Sequence, residues 1–241
     1  MSAPTLLISD LHLDEGRPQA TACLLRLLAG PAREASALWV LGDLFEAWIG
    51  DDDDAPWLEP VLEAFAALAA QVPVRVLHGN RDFLLGPGFE RRSGATLVAE
   101  PVLLELGGRR SVLVHGDAQC AGDHAYQAFR LQVRAPAWQQ AFLAQPLAAR
   151  REFAVQARAA SARETVSKDQ YLMDVEPAAV AALLREAGAE RMVHGHTHRP
   201  ARHALEVEGR RCERFVLGDW HGHGWLAIAD EQGLRQETLP F

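Results

Sequence analysis

Five short apolar runs, each followed by a chemically loaded motif, constrain this chain more than anything else in it. Thr5-Leu6-Leu7-Ile8 precedes Asp10-Leu11-His12, and Leu38-Trp39-Val40-Leu41 precedes Gly42-Asp43. Val74-Arg75-Val76-Leu77 precedes Gly79-Asn80-Arg81-Asp82, Ser111-Val112-Leu113-Val114 precedes His115-Gly116-Asp117, and Met192-Val193 precedes Gly195-His196-Thr197-His198. Apolar runs of this length read as buried strands. Asp, Asn and His therefore recur at strand C-termini, where α/β folds build their sites. Seven of these side chains can bind a divalent metal: Asp10, His12, Asp43, Asn80, His115, His196 and His198. Seven is too many for one tetrahedral site and suits two octahedral-like ions sharing a bridging carboxylate.

The stretches between the runs fix the rest of the organisation. Residues 20–29 and 57–70 read as amphipathic helices, so residues 5–118 alternate strand and helix and predict βαβ units. Between Gly122 and Lys168 the strand signal stops and Ala, Gln, Arg and Leu dominate. Asp123 is placed to N-cap a helix running to about residue 133. Pro136 and Pro146 divide the remainder, so about three helical pieces are expected. We read 123–168 as a helical insertion, or lid, within one domain spanning 1–241. Alternation resumes with a helix over 177–186 and a strand into His194, and residues 202–217 and 225–228 read as antiparallel. The acidic run 51–54 reads as a solvated turn.

Composition excludes some classes. The formal net charge is −8, which argues against general nucleic-acid binding. The charge is uneven. Residues 124–163 hold Arg130, Arg134, Arg150, Arg151, Arg158 and Arg163 against the single acid Glu152. A segment of +5 in a chain of −8 leaves −13 elsewhere, and such asymmetry points to an anionic partner for the segment. Lys168 is the sole lysine beside 23 arginines. That is either codon bias or a point charge that a guanidinium does not replace. Cys23, Cys120 and Cys212 form no CxxC pair, and their odd number argues against a disulfide framework, so a reducing cytosol is expected. The first residues enter a strand with no basic and apolar leader, which argues against a signal peptide, and no apolar stretch is long enough to span a bilayer.

One such motif says little: Asp-x-His or Gly-Asp alone is compatible with a capped turn. Gly-Asn-Arg-Asp is more telling, and His196-Thr197-His198 is a strong metal signal. Together, in this order, the motifs resemble the calcineurin-like metallophosphoesterase superfamily over about residues 5–200, whose pattern is D-x-H, G-D, G-N-[HR]-[DE], H and G-H-x-H. The resemblance implies a four-layer αββα sandwich and two metals bridged by Asp43. Asp10, His12 and His198 would complete one site, and Asn80, His115 and His196 the other. His194 would then be structural. Many members carry histidine after the asparagine as a proton donor. Here Arg81 stands there, and a guanidinium is no useful acid at neutral pH but can hold an extra phosphate bidentately. That favours a leaving group already stable as an anion, as in a phosphoanhydride.

Residues 41–52, Leu-Gly-Asp-Leu-Phe-Glu-Ala-Trp-Ile-Gly-Asp-Asp, and 78–86, His-Gly-Asn-Arg-Asp-Phe-Leu-Leu-Gly, carry a closer resemblance, as do Tyr126-Gln127-Ala128-Phe129-Arg130 and Met173-Asp174-Val175. They look like the UDP-2,3-diacylglucosamine diphosphatase family of lipid A biosynthesis, over essentially the full chain. The resemblance implies Mn²⁺-dependent hydrolysis to UMP and 2,3-diacylglucosamine 1-phosphate, by attack of a metal-activated hydroxide on the α-phosphorus. It implies a protein peripheral to the cytoplasmic face of the inner membrane; we expect a monomer. Catalytic roles fall on Arg81 and His196. Substrate positions fall on Asn80, Arg81, Asp123, Ser161, Thr165, Lys168 and His196, with Thr165 standing where relatives often have asparagine. The insertion's apolar side chains would hold the acyl chains, and its arginines would meet phosphates or anionic headgroups. The alternatives are another phosphodiesterase or phosphatase of the superfamily, or a metal-bound scaffold without catalysis, which should have lost ligands.

Overall fold

The computed structural model describes residues 3–167 and 174–241, with backbone alone for 162–167. The first half runs β1 (Thr5–Ile8), α1 (Pro18–Ala29), β2 (Ala37–Val40), α2 (Leu58–Ala69), β3 (Val74–Val76), α3 (Pro87–Ser93), β4 (Thr96–Leu97), β5 (Val102–Leu106) and β6 (Arg109–Leu113). Three consecutive helices follow, α4 (His124–Val133), α5 (Pro136–Leu143) and α6 (Leu147–Ser167). The chain ends with α7 (Pro177–Ala187), β7 (Arg191–His194), β8 (Ala201–Val207), β9 (Arg210–Val216), β10 (His223–Asp230) and β11 (Gly233–Pro240).

The strands form two sheets, ordered β11-β10-β1-β2-β3-β4 and β5-β6-β7-β9-β8. Parallel pairing carries β1 through β4 and joins β6, β7 and β9, while the edges close with antiparallel hairpins. Side-chain alternation along a strand assigns the layers. Leu6 and Ile8 pack with Leu24 and Leu28 of α1 and Phe65 of α2. Leu7, between them, faces Val193 and Phe215 of the other sheet. Val112 and Met192 point away from that interface and meet Val180 and Leu184 of α7. Three apolar interfaces give four layers, helix–sheet–sheet–helix, as the motifs implied.

Each covering helix turns one face inward. Leu58, Val61, Leu62, Phe65 and Leu68 are the buried residues of α2, the i, i+3, i+4, i+7 stripe of a helix lying on a sheet. Burying each contributes about 1.5–3 kcal/mol. Asp123 caps α4 as its position suggested, its side chain accepting from Tyr126 N at 3.1 Å. Prolines open α5 and α7, where the missing N–H costs nothing. The β5–β6 hairpin extends the second sheet beyond the sequence expectation, which covered only its second strand. Among the described residues no helix is long and apolar enough to cross a membrane.

Two sequence expectations are extended. The acidic run 51–54 is a turn with Asp52 and Asp54 exposed, as expected, and it is also the socket for α6. Arg150 donates through Nη1 to Asp52 Oδ1 at 2.8 Å and through Nη2 to Oδ2 at 2.5 Å, and Arg151 reaches Asp53 and Asp54. Asp51 accepts from Gly86 N at 3.1 Å and Gly88 N at 2.6 Å, holding the start of α3. Nor do the segment's arginines all await an anionic partner. Arg130 donates to Asp117 Oδ2 at 2.7 Å, and Arg134 donates to the carbonyl of Gly79 at 2.9 Å. Arg130, Arg134 and Arg150 bind their helices to the sandwich, because buried or half-buried charge must be paired, and Arg151 adds an exposed pair beside them.

Candidate metal centre

Motifs from both sheets converge at the strand C-termini, and the backbone turns sharply to bring them there. Asp10, His12, Asp43, His196 and His198 all have φ between +48° and +65°. Non-glycine residues seldom adopt that region, and they persist there only when the surroundings hold them. Strand alternation does not set their directions, since β1 ends at Ile8 and β7 at His194. The cross-links are explicit: His12 N donates to Asp43 O at 3.0 Å and Asp10 N to Gly42 O at 3.2 Å. Asp82 staples two motif loops, accepting from Gly79 N and Leu44 N at 2.7 Å each. Gly79 and Gly195 are required by close approach. A Cβ on Gly79 would overlap Asp43 Oδ1 and Asp43 N, and one on Gly195 would overlap Asp10 Oδ2 and Ser9 Oγ.

Donor atoms of Asp10, His12 and His198 lie within 4.8 Å of one another, and so do those of Asp10, Asp43 and His115. Asp43 faces both ways, with Oδ2 3.8 Å from His12 Nε2 and Oδ1 3.7 Å from His115 Nε2. Asn80 Oδ1 stands 2.9 Å from His115 Nε2 and 2.8 Å from His196 Nδ1. His12 Nε2 and His198 Nε2 face each other at 3.1 Å. All seven expected ligands thus come together. His194 does not join them: it is buried, with Nδ1 2.8 Å from the carbonyl of Gly195.

Outer contacts orient the rings, as metal-ligating histidines require. His115 Nδ1 lies 2.8 Å from the carbonyl of Leu41, which fixes the proton there and leaves Nε2 as the donor. Carboxylates stand near two more rings without an aligned hydrogen bond: Glu46 Oε2 is 2.9 Å from His12 Nδ1, and Asp219 Oδ2 is 3.7 Å from His198 Nδ1. Burial favours the neutral form of His115, but Asp43 and Asp10 reverse this and push it up to about 9. Burial, with His115 adding to it, drives His196 down to about 4. Asp10, despite burial, is held far below the usual carboxylate range by His198 and His115. Buried carboxylates that draw positive charge onto a neighbouring ring fit divalent cations, because Asp10 and Asp43 are both fully buried and need positive charge between them.

The cluster opens into a cleft of about 570 Å³. Its walls include Asn80, Arg81, Asp123, Ser161 and His196, so five of the expected substrate residues share one space with the metal ligands. Thr165 and Lys168 lie outside the described side chains. Next to the cleft is a narrow slot of about 30 Å³ edged by Trp48, Phe83, Trp138, Phe142 and Phe153. Asn80, Arg81, Phe129, Ala157 and Arg158 line both.

Sequence reading missed several contributors. Arg17 donates to the carbonyls of Leu11 and His12 at 3.0 and 2.9 Å and also to that of Trp220, gathering the first motif loop. Two arginines that the sequence did single out offer unmet donors: Arg158 presents Nε and Nη1, and Arg81 presents Nε, buried with no hydrogen-bond partner. Glu46 carried no periodic signal. Asp219 did: Val216-Leu217-Gly218-Asp219 repeats Val40-Leu41-Gly42-Asp43.

Paired sheets with an Asp, Asn and His cluster at their strand ends define a phosphoesterase that works with metal ions. The sequence profile of the calcineurin-like phosphoesterases matches residues 3–200. A UDP-2,3-diacylglucosamine hydrolase of Cellvibrio japonicus is 51% identical over 95% of this chain and 96% of its own. Hydrolases of the same description from Stenotrophomonas maltophilia and Aeromonas hydrophila are 48% and 49% identical, each over 98% of this chain and 98% or 99% of theirs. The chain belongs to the calcineurin-like phosphoesterase family and, within it, to the group these hydrolases form; it is a hydrolase. The fold is also that of a characterised archaeal phosphodiesterase (TM-score 0.50, 12% identity, 98% of this chain and 99% of that one).

Proposed function

We propose that the protein hydrolyses the pyrophosphate of UDP-2,3-diacylglucosamine to UMP and 2,3-diacylglucosamine 1-phosphate, with two Mn²⁺ ions bridged by Asp43. The observation that carries this reading is the shared wall. Arg81 and Arg158, with unpaired donors, stand where the ligand cluster meets an aromatic slot. A substrate joining a polyanion to acyl chains needs that junction, and a small soluble phosphodiester does not. The full-length likeness to hydrolases named for this substrate supports the same choice over another phosphodiesterase or phosphatase. A scaffold without catalysis is disfavoured because no ligand is missing.

Asp10, His12, Asp43 and His198 would hold one ion, and Asp43, Asn80, His115 and His196 the other. When bound, the ions supply Lewis acidity, acidifying water and neutralising phosphoryl oxygens. The borderline-hard donor set favours Mn²⁺. The chain's own groups do the positioning. Arg81 takes phosphoryl oxygens through its free donors, which stabilises charge on the departing sugar phosphate. Neutral His196, steadied by Asn80, faces the same oxygens. Asp123 and Ser161 take the glucosamine, and Arg158 takes polar oxygens at the root of the acyl chains. The helices α4–α6 form a lid whose slot, narrow as it stands, widens by displacement of Trp138 and Phe153 as the chains enter. Leu131 and Val155, 71% and 68% exposed, turn outward from the lid toward the cytoplasmic face of the inner membrane, where the protein binds peripherally.

Incubating the purified protein with UDP-2,3-diacylglucosamine and Mn²⁺, then resolving products by mass, tests the reading. UMP and the diacyl sugar 1-phosphate are expected. An intact lipid nucleotide beside rapid hydrolysis of a small phosphodiester would overturn it.

A further inference from the structure

Glu46 stands between a metal ligand and the phosphate-binding arginine, one carboxylate oxygen toward each. Oε2 is 2.9 Å from His12 Nδ1 and Oε1 is 3.5 Å from Arg81 Nη1. Its backbone is held on both sides. Glu46 N donates to Leu13 O at 3.0 Å, next to a parallel bridge between Leu13 and Phe45. Two residues on, Trp48 N donates to Arg81 O at 3.1 Å. The root of the side chain is thereby fixed between the loop that carries His12 and the loop that carries Arg81.

The geometry points to Glu46 as a positioning residue that ties the His12 metal position to the orientation of Arg81. The 2.9 Å contact lies off the N–H direction, and Nδ1 has no aligned hydrogen-bond partner; a small turn of the ring brings a proton on Nδ1 onto Glu46, which leaves Nε2 free for the ion and fixes the ring plane. The long contact to Arg81 engages one of its five N–H donors. The guanidinium is thereby aimed while Nε and the remaining donors stay open to an anion. Arg81 reaches the carboxylate from the cleft and His12 from the metal cluster, so an ion settling at His12 Nε2 steadies the same carboxylate that aims Arg81. The prediction for Arg81 rests on the reading of the cleft given above; the prediction for His12 does not.

Two readouts separate these parts. Protein stripped with a chelator is titrated with Mn²⁺, and steady-state kinetics are then recorded at saturating Mn²⁺ with UDP-2,3-diacylglucosamine. Glu46→Gln should weaken Mn²⁺ at one of two positions by about 10- to 100-fold. With metal restored, it should raise KM more than it lowers kcat. Arg81→Lys should leave the isotherm unchanged and raise KM. Glu46→Gln combined with Arg81→Lys should raise KM no more than about twofold beyond Arg81→Lys alone, because the aimed group is gone. Glu46→Asp, which keeps the charge and withdraws it by one methylene, should show smaller losses on both readouts and serves if the glutamine variant does not fold. An unchanged isotherm in Glu46→Gln, or KM effects that multiply in the double variant, would overturn the inference. Wild-type kinetics in Arg81→Lys would instead overturn the reading of the cleft and leave the His12 arm standing.

Discussion

The α-carbon of Gly79 sits against the carboxylate of Asp43, so closely that a Cβ there would overlap Asp43 Oδ1 and Asp43 N and stand 2.7 Å from Cγ. The third motif begins with glycine because the Asp43 carboxylate occupies the space a side chain would need. Backbone and a buried anion cannot move aside cheaply, so Gly79→Ala should displace Asp43. Metal content by elemental analysis should fall well below wild type, with at least a 100-fold loss of activity. Circular dichroism should show the sandwich retained, since the change lies at strand ends. Normal metal content would mean that Asp43 is not the shared ligand.

The lid is locked by the Arg150–Asp52 pair. Arg150 is buried, and it also donates to Ile49 O at 2.6 Å and Gln145 O at 3.0 Å. Replacing it with Met strands those acceptors, while Asp52, more exposed, can rehydrate. A cost of about 1–3 kcal/mol is expected, about 2–12 °C in Tm at roughly 2–4 °C per kcal/mol. KM for the lipid nucleotide should rise more than KM for a small diester. Asp52 is held below its ordinary value by its hydrogen bonds from Arg150. A depressed carboxylate stabilises above its unfolded pKa, and the contribution is lost as pH falls through the folded one. The gap between wild type and Arg150→Met should be constant from pH 7 to 5 and narrow below about pH 4. A gap that closes between pH 5 and 7 would assign the effect to another group.

Arg158 has two buried donors without partners and lines both cleft and slot. Leaving such donors unmet is costly, and a ligand that meets them recovers that cost. Arg158→Met should lower kcat/KM on UDP-2,3-diacylglucosamine by about ten- to hundredfold, the worth of one charge-assisted contact. Mn²⁺ binding and hydrolysis of bis-nitrophenyl phosphate should stay within twofold of wild type. Equal loss on both substrates would place Arg158 in the framework of the lid.

How much of this was legible in the sequence depends on whether a residue's role is set locally. Strand ends announce themselves as an apolar run stopping at Gly, Asp or His, so the seven residues that converge at the strand ends and the order of β1, β2, β3, β6 and β7 could be read. Helices α1, α2 and α7 declared themselves by periodicity, and α4–α6 by the prolines between them. What escaped was set by partners far along the chain. The pairing of Asp52 escaped because Arg150 lies 98 residues away, and Arg130 looked available because Asp117 is met only after α4 folds back. Directions at the ligands escaped too: alternation assumes extended backbone, and five of the seven ligands are left-handed. Glu46 falls between two motifs and joins them only in three dimensions.

The central claim is that water attacks the α-phosphorus of a pyrophosphate, with the sugar phosphate departing under the hold of Arg81. Hydrolysis of UDP-2,3-diacylglucosamine in H₂¹⁸O tests it most directly. Mass spectrometry of both products should find one ¹⁸O in UMP and none in 2,3-diacylglucosamine 1-phosphate. Label in the sugar phosphate would place attack at the other phosphorus, with UMP leaving, and would contradict the account.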